Sequence, residues 1–227
     1  MNTDQVKEQF DFIAEKYDRQ RRYFIPCFDD FYKTSISLLK SYRYSFDNIV
    51  DLGAGTGLLT MEIFKMYSYS NFTLIDISPE MLSIAKERFN GLDNFEYVEG
   101  DYTEDIPINT CSLICSALSI HHLEKPDRKQ LYSTIFKKLD KGGCFINLDL
   151  FMAASPRINN LYTDWINYYT NKTGINGGAK TTKAKRQLLD KESTVRETID
   201  LLKKCGFEDV ECVYSFMKFG TIIAIKE

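Results

Sequence analysis

The stretch "NIVDLGAGTGLLT", residues 48–60, decides the fold. An apolar run contains the acid Asp51, glycines follow at positions 53, 55 and 57, and a helical pattern begins immediately afterwards. Such glycines let the chain turn tightly between a strand and a helix, and they let a ligand approach the backbone closely. Backbone N–H groups at the start of the helix are then free to bind polar or anionic groups. Taken alone, the pattern is equally compatible with a turn that serves packing only.

A second acid favours a binding site. In "TLIDIS", Asp76 follows Gly57 by nineteen residues, a spacing at which a carboxylate can accept hydrogen bonds from both hydroxyls of an adenosine ribose. The glycine spacing is GxGxG because position 58 is Leu, whereas dinucleotide-binding proteins use GxGxxG. We therefore expect a nucleoside-containing ligand and disfavour a nucleotide-dependent reductase.

Apolar runs and helical segments alternate on both sides of this turn. The runs predicted as strands are "NIVDL", "FTLIDI", "FEYVEG", "SLICSAL" and "CFINLDL", and helices are predicted near 58–67, 79–89 and 126–139. Such alternation implies right-handed crossovers and a parallel sheet with helices on both faces. Near the end, "STVRETIDLLKKCGF" predicts a helix from a Ser193 cap to a Gly206 stop. The last two runs, "DVECVYSFM" and "GTIIAIK", predict an antiparallel hairpin split at "KF".

The chain is expected to form one domain, residues 1–227. Its predicted parts are an N-terminal helical cap (1–44), a cofactor-binding core (45–150), a lid insertion (151–192), and a final helix and β-hairpin (193–227). Within the cap, one amphipathic helix is predicted over residues 3–18 and a second in "IPCFDDFYKTSISLLKSY". The lid breaks the strand–helix rhythm with an aromatic helical stretch, "RINNLYTDWINYYT", followed by a polar Gly/Lys segment.

Composition excludes several classes of protein. Hydrophobic residues make up 44% of the 227 residues, enough for a sizeable core. The six cysteines are scattered without a CxxC pair, so we expect buried free thiols and no metal site. No apolar stretch reaches the ~20 residues of a membrane helix, and the polar, acidic N-terminus argues against a secretory signal. We expect a cytoplasmic protein, and a net charge of −3 disfavours nucleic acid as a partner.

The motifs resemble those of class I S-adenosylmethionine-dependent methyltransferases. The residues that carry the resemblance are "VDLGAGTG", "DISPEMLSIAKER", "EGDYTEDIP" and "SALSIHHL", in that family's order and spacing over roughly residues 45–150. The resemblance implies a Rossmann-like α/β fold, with a seven-stranded, mostly parallel sheet that ends in an antiparallel hairpin. It also implies S-adenosyl-L-methionine as the cofactor and methyl transfer as the reaction.

The resemblance further implies a set of cofactor contacts. The aminoacyl end is expected to contact Asp51, Gly53, Ala54, Gly55 and Gly57, and the ribose is expected to contact Asp76. The adenine is expected to contact Ile77, Met81, Asp101 and Tyr102, and Ser116 is expected to lie near the sulfonium. The N-terminal segment is expected to contribute Tyr17 and Arg22.

Catalysis by methyl transfer depends mainly on alignment of acceptor, methyl group and sulfur. A general base is needed only if the acceptor carries a proton. His121, in "SIHHL", is the better candidate for that base, and packing in this turn is the alternative for both histidines.

Several functions stay open at this stage. We expect a small-molecule acceptor, with RNA as the alternative because of a basic run made of Lys172, Lys180, Lys183, Lys185, Arg186 and Lys191. A tRNA-modifying enzyme, a non-catalytic S-adenosylmethionine-binding protein and a homodimer are also compatible with the sequence.

A narrower resemblance connects the chain to carboxy-S-adenosylmethionine synthases, which share this fold. It rests on "RRYFIPCFDDFY" and on "STVRETIDLLKKCGFEDVECVYSFMKFGTIIAIK". In those enzymes an Arg before the last helix reaches the carboxylate of the modified cofactor, and Arg186 is the best match here. The chain departs from that pattern in "GAGTG" and in Ser116, so ordinary methyl transfer is the first interpretation.

Overall fold

The sheet of the protein contains seven strands. The computed structural model describes residues 3–173 and 188–227. The strands are β1 Asn48–Leu52, β2 Asn71–Asp76, β3 Phe95–Glu99, β4 Cys111–Ala117, β5 Leu139–Leu150, β6 Asp209–Phe216 and β7 Phe219–Ile225. Their spatial order is β3-β2-β1-β4-β5-β7-β6, parallel except where β7 pairs antiparallel with β5 and β6. The predicted mostly parallel sheet with a closing hairpin is confirmed.

The helices flank this sheet. They are α1 Thr3–Ile13, α2 Tyr17–Phe24, α3 Leu39–Tyr42, α4 Leu58–Phe64, α5 Pro79–Arg88, α6 Lys125–Lys138, α7 Pro156–Lys172 and α8 Val195–Lys204. Two buried apolar clusters, one on each face, pack the helices against the sheet. A strand with both faces covered is buried along its length, as in β4, whose sequence "CSLICSA" is mostly apolar and is buried at six of seven positions.

The register of the central strands fixes where the ligand site lies. Val50 of β1 pairs with Thr73 of β2 on one side and with Ile114 of β4 on the other. The carboxyl ends of β1, β2 and β4 therefore meet at one edge, and the strand order reverses between β1 and β4. Ligands of open α/β sheets bind at such a switch point.

The N-terminal cap differs from the prediction in two places. The first helix continues beyond residue 18, through a short 3₁₀ turn at Ala14–Lys16, to Phe24. The second predicted helix is wrong as a single element, because it breaks into a π-helical turn at Asp30–Thr34 and the short α3. The side chain of Ser35 bonds back to the Phe31 carbonyl at 2.5 Å, a local contact that competes with regular helix.

The N-cap residue of the last helix, α8, lies one residue later than predicted. Thr194, not Ser193, accepts a hydrogen bond from the Glu197 N–H at 3.1 Å, and the Glu197 carboxylate accepts one from the Thr194 N–H at 2.9 Å. This reciprocal capping box satisfies two free N–H groups at once. The Ser193 hydroxyl instead accepts a hydrogen bond from Arg128 at 3.0 Å.

The segment predicted as a lid, residues 151–192, contains α7, and its residues 188–192 lie against the turn after β4. There, the Lys191 N–H donates to the His121 carbonyl at 2.7 Å. Among the described residues, none of the helices has the length and apolar character needed to cross a bilayer.

Candidate functional site

The glycine turn after β1 has left-handed backbone at all three glycines, with φ of 68°, 55° and 78°. A Cβ on Gly53 would collide with Ser119, and one on Gly57 would lie 2.7 Å from the Phe89 ring. A Cβ on Gly55 would meet no protein atom within 4 Å. Gly53 and Gly57 are therefore required for packing, whereas Gly55 faces open space that a ligand can fill.

Asp76 closes the turn from the end of β2. Its carboxylate accepts hydrogen bonds from the Gly55 N–H at 2.7 Å and from the Ser78 N–H at 2.9 Å. Burial raises the pKa of Asp76 to about 6, although these two N–H donors act in the opposite direction. Each oxygen keeps a lone pair for a further donor such as a ribose hydroxyl.

Asp51 lies beneath the turn and is 2% exposed. One oxygen, Oδ2, accepts a hydrogen bond from the Thr60 hydroxyl at 2.6 Å, while the other, Oδ1, is buried without a partner. Burial raises the pKa of this carboxyl to about 7. An unpaired buried carboxylate oxygen is energetically unfavourable, and an ammonium group of a ligand would relieve it.

A cavity of about 530 Å³ opens beside the turn, and we call it the glycine-turn cavity. Its lining residues are Val6, Phe10, Tyr17, Gly53, Gly55, Asp76, Ile77, Asp101, Tyr102, Ala117, Leu118, Ser119 and His122. The open face of Gly55 and the spare lone pairs of Asp76 fit polar groups of S-adenosylmethionine, whereas Asp51 lies beneath the turn and is not among the residues that line the cavity.

Seven of the predicted cofactor residues meet in this cavity. They are Tyr17, Gly53, Gly55, Asp76, Ile77, Asp101 and Tyr102. The Asp101 carboxylate also accepts hydrogen bonds from the backbone and side chain of Thr103, at 2.8 and 2.6 Å. These bonds hold the carboxylate in one orientation at the mouth of the cavity.

Other predicted residues lie outside the cavity wall. Ala54, Gly57 and Met81 are packed in or near the turn, with Met81 in an apolar cluster beside Tyr17. Ser116 donates to the Leu52 carbonyl at 2.7 Å and is fully buried. Arg22 points to the surface, where its guanidinium binds Asp29 with two contacts of 3.2 Å.

Ser119 and Arg21 were missed by the sequence reasoning. Ser119 lines the cavity, and its hydroxyl lies 2.7 Å from the Tyr102 hydroxyl. It belongs to the quoted motif "SALSIHHL", so the signal was present, three residues beyond the predicted Ser116. Arg21 contacts the Tyr17 hydroxyl, and its Nε atom is buried without a partner.

The N-terminal cap is attached to the core by polar contacts around the cavity. Asp18 accepts a hydrogen bond from Thr56 of the glycine turn at 2.5 Å and forms an ion pair with Arg88. Arg88 in turn donates to the Thr56 carbonyl at 2.7 Å. The Ser78 hydroxyl donates to Asp11 of α1 at 2.5 Å. These contacts position Phe10 and Tyr17 over the site.

A second cavity adjoins the first, and we call it the histidine cavity. It is lined by Phe10, Arg21, Phe24, Ile25, Leu118, His121, His122, Leu150, Thr163, Ile166, Asn167, Asp190, Glu192, Lys218 and Phe219. The lid contributes the Thr163–Asn167 face of α7. The aromatic residues of α7 lie elsewhere, since Trp165 stacks on Tyr169 and contacts Phe216.

His121 is 5% exposed and lies between two carboxylates. Its Nδ1 atom is 2.5 Å from Asp149 Oδ1, and its Nε2 atom is 3.3 Å from Asp190 Oδ1. Burial lowers the pKa of this imidazole, but Asp149 and Asp190 outweigh burial and raise the pKa to about 10. The ring is therefore protonated at neutral pH, and it can act as a general base only after it loses that proton.

His122 has the opposite charge preference. Burial and the neighbouring charge of His121 lower its pKa well below the usual range of histidine. Its Nδ1 atom is buried without a hydrogen-bond partner and lies 3.4 Å from Asp190 Oδ1. The neutral ring forms part of the wall of both cavities.

Comparisons with known proteins find similarity to methyltransferases and to carboxy-S-adenosyl-L-methionine synthases. Residues 49–143 match the family model described as a methyltransferase domain. A carboxy-S-adenosyl-L-methionine synthase from Nautilia profundicola is 25% identical over 97% of this chain and 96% of its own length. A demethylmenaquinone methyltransferase from Chlamydia caviae is 30% identical over 70% of this chain and 65% of its own length.

Solved structures show the same fold. Human N-acetylserotonin methyltransferase in complex with SAM superposes with a TM-score of 0.60 and 22% identity, over 86% of this chain and 50% of that chain. A putative O-methyltransferase from Nostoc punctiforme superposes with a TM-score of 0.67 and 15% identity, over 96% of this chain and 60% of that chain. The chain thus spans half to three fifths of these two structures.

Proposed function

We propose that this chain is a class I S-adenosylmethionine-dependent methyltransferase and that it transfers the methyl group of S-adenosylmethionine to a small-molecule acceptor; the match of residues 49–143 to a methyltransferase domain supports this proposal. In this proposal the cofactor binds in the glycine-turn cavity and the acceptor binds in the histidine cavity. The cofactor, when bound, supplies a methyl group on a positively charged sulfur.

The side chains around the glycine-turn cavity would hold the cofactor by its polar groups. Asp76 accepts hydrogen bonds from the ribose hydroxyls, and Asp101 accepts one from the adenine amino group, with Ile77 and Tyr102 beside the base. Gly53, Ala54, Gly55 and Gly57 would shape the turn for the aminoacyl end, and Asp51 would accept from its ammonium group.

The observation that carries the proposal is the wall between the two cavities. Phe10, Leu118 and His122 line both of them, so the two cavities lie side by side. A displacement at carbon would require the methyl group and the acceptor to meet past these side chains, and orientation alone can supply ~7–11 kcal/mol of the barrier reduction. His121 is the catalytic candidate on the acceptor side.

A pair of glycine variants tests where the cofactor binds. Gly55→Val should abolish binding of S-adenosylhomocysteine in calorimetry, because the new side chain would fill the space that the ligand needs. Gly91→Val is the matched control, since Gly91 also has positive φ (82°) and open space at its Cβ. It carries the same backbone strain away from the cavity. Binding retained in Gly55→Val, with the fold intact by circular dichroism, would contradict the proposal.

A second function is favoured by one observation, the end-to-end match to a carboxy-S-adenosyl-L-methionine synthase. Such a function needs a cation near the transferred group, and Arg21 in the wall of the histidine cavity has an unpartnered Nε atom. Arg186, the sequence-based candidate, lies outside the described residues. Native mass spectrometry of the purified protein separates the two functions, because a co-purified carboxylated cofactor is heavier than S-adenosylmethionine.

The RNA alternative has less support. In the basic run, Lys180, Lys183, Lys185 and Arg186 lie outside the described residues. Lys172 lies over the Tyr168 ring at 4.5 Å, and Lys191 pairs with Glu124 at 3.4 Å. We favour a small molecule because the histidine cavity is walled by both the cap and the lid.

Turnover with an identified acceptor would exclude the non-catalytic alternative.

Three other expectations stay predictions. They are the single domain of residues 1–227 with its four parts, the homodimer, and the cytoplasmic location. Size-exclusion chromatography with light scattering measures the oligomeric state directly.

A further inference from the structure

Three metal-binding side chains converge in the wall of the histidine cavity. His121 and His122 come from the 3₁₀ turn Ile120–His122 after β4, and Asp190 comes from the returning lid segment. Their ligand atoms all lie within 4.8 Å of one another. No sequence motif predicts this cluster, because the predicted lid separates Asp190 from the two histidines in sequence. The scattered cysteines, on which the expectation of no metal rested, play no part in it.

Two of the three distances between ligand atoms in the cluster match those of a tetrahedral cation site. His121 Nε2 and His122 Nδ1 lie 3.3 and 3.4 Å from Asp190 Oδ1. Nitrogen and oxygen ligands at ~2.0–2.1 Å from a tetrahedral Zn²⁺ are themselves about 3.3–3.4 Å apart. Two imidazoles and one carboxylate form a donor set that suits zinc and similar divalent transition metals.

The orphaned nitrogen of His122 points to a missing ligand. His122 is 6% exposed, and its Nδ1 atom is buried without a hydrogen-bond partner. Buried polar atoms of this kind are rare and call for an explanation. A cation bound by Nδ1 and by Asp190 would supply the partner.

His121 has the outer support that metal-binding histidines usually have. Its Nδ1 atom lies 2.5 Å from Asp149 Oδ1, and Asp149 is 2% exposed. When Nδ1–H donates to a carboxylate, the ring is fixed with Nε2 directed at the metal. Here Nε2 is the atom that faces Asp190. A cation would replace the proton on Nε2, so its binding would release one proton.

We propose that His121, His122 and Asp190 form a zinc-type divalent cation site whose fourth position opens into the histidine cavity and takes an oxygen of the acceptor. The role of the fourth position rests on the proposed methyl transfer, whereas the cation site itself does not. A bound cation lowers the pKa of an acceptor hydroxyl, which then loses its proton to solvent. The oxygen forms the bond to the methyl carbon, and the carbon–sulfur bond breaks with its electron pair on sulfur. The products are a methylated oxygen and S-adenosylhomocysteine.

Cation binding can be measured without any turnover. The full chain is stripped with a chelator and titrated with Zn²⁺ by calorimetry, and with Co²⁺ by absorption spectroscopy. We expect one tightly bound equivalent and an intense visible band typical of tetrahedral Co²⁺. Asp190→Asn, which keeps the side-chain shape, should weaken binding at least ~100-fold, and Asp149→Asn should weaken it ~10–100-fold through the orientation of His121.

The controls keep the test decisive. Glu124→Gln removes a carboxylate at the surface near the lid and should leave Zn²⁺ affinity unchanged. Circular dichroism and S-adenosylhomocysteine binding report whether each variant is folded. Equal Zn²⁺ affinity in wild type and Asp190→Asn would overturn the proposal, as would a sulfur-to-cobalt charge-transfer band, which indicates cysteine ligands. Zn²⁺ binding at this site without S-adenosylhomocysteine binding would instead refute the proposed function and leave the cation site standing.

Discussion

Cofactor affinity should depend on pH through Asp76. In the ligand-free protein, burial holds the pKa of this carboxyl at about 6, against ~3.9 for an exposed Asp. Ribose hydroxyls donate hydrogen bonds to the ionised form. Protein with Asp76 protonated must therefore lose that proton before it binds tightly.

The magnitude follows from the fraction of ionised carboxylate. With a pKa of about 6, Asp76 is ionised in about one tenth of the molecules at pH 5 and in nearly all of them at pH 8. Affinity for S-adenosylhomocysteine should thus be about tenfold lower at pH 5 than at pH 8, or about 1.4 kcal/mol.

Cofactor affinity should rise with pH, whereas the free energy of unfolding of the ligand-free protein should fall. The folded pKa lies above the unfolded value, so the contribution of Asp76 to stability is fully present below pH ~3.9. It is lost as the pH rises through about 6, by about 3 kcal/mol in total. The thermal shift caused by the ligand should consequently grow over the same interval.

Two variants distinguish the effect of Asp76 on the pH dependence of affinity from that of Asp51. Asp51 also has a raised pKa, of about 7, so calorimetry between pH 5 and 8 is run on wild type, Asp51→Asn and Asp76→Asn. The affinity of the Asp51→Asn protein should still be about tenfold lower at pH 5 than at pH 8. The affinity of the Asp76→Asn protein should lose this tenfold dependence on pH. Affinity that rises as the pH falls, or an equal slope in wild type and Asp76→Asn, would refute the reasoning.

Three further results are expected. If the acceptor is a hydroxyl, His121→Ala should lower turnover by ~10²–10⁴-fold while calorimetry shows little change in cofactor binding; an unchanged rate would leave His121 a packing residue. Thr194→Ala should lower the free energy of unfolding in urea by about 1 kcal/mol, whereas a larger effect of Ser193→Ala on α8 would speak against the capping box. Arg186→Ala should weaken S-adenosylmethionine and its carboxylated form equally or not at all in competitive binding, and a selective loss of the carboxylated ligand would favour the synthase-like function.

Local sequence determined the strands, most helices and the cofactor end of the site. The run before Asp51 and the glycines after it specify a strand and a tight turn by their own side-chain and backbone preferences. "TLIDIS" places Asp76 at the end of the next strand, and parallel neighbours bring both strand ends to one edge of the sheet. Periodicity and glycine chemistry act over a few residues, so the sequence alone contains them.

The histidine cavity was decided by tertiary structure. Which arginine of the cap faces the cavity depends on how α2 rotates against the core, and Arg21 takes the position while Arg22 pairs with Asp29 on the surface. The partners of His121 come from β5 and from the far end of the lid. Asp149 and Asp190 act on His121 only when folding buries all three groups together, because burial and short distance, neither of which is local in sequence, set the charge of that imidazole.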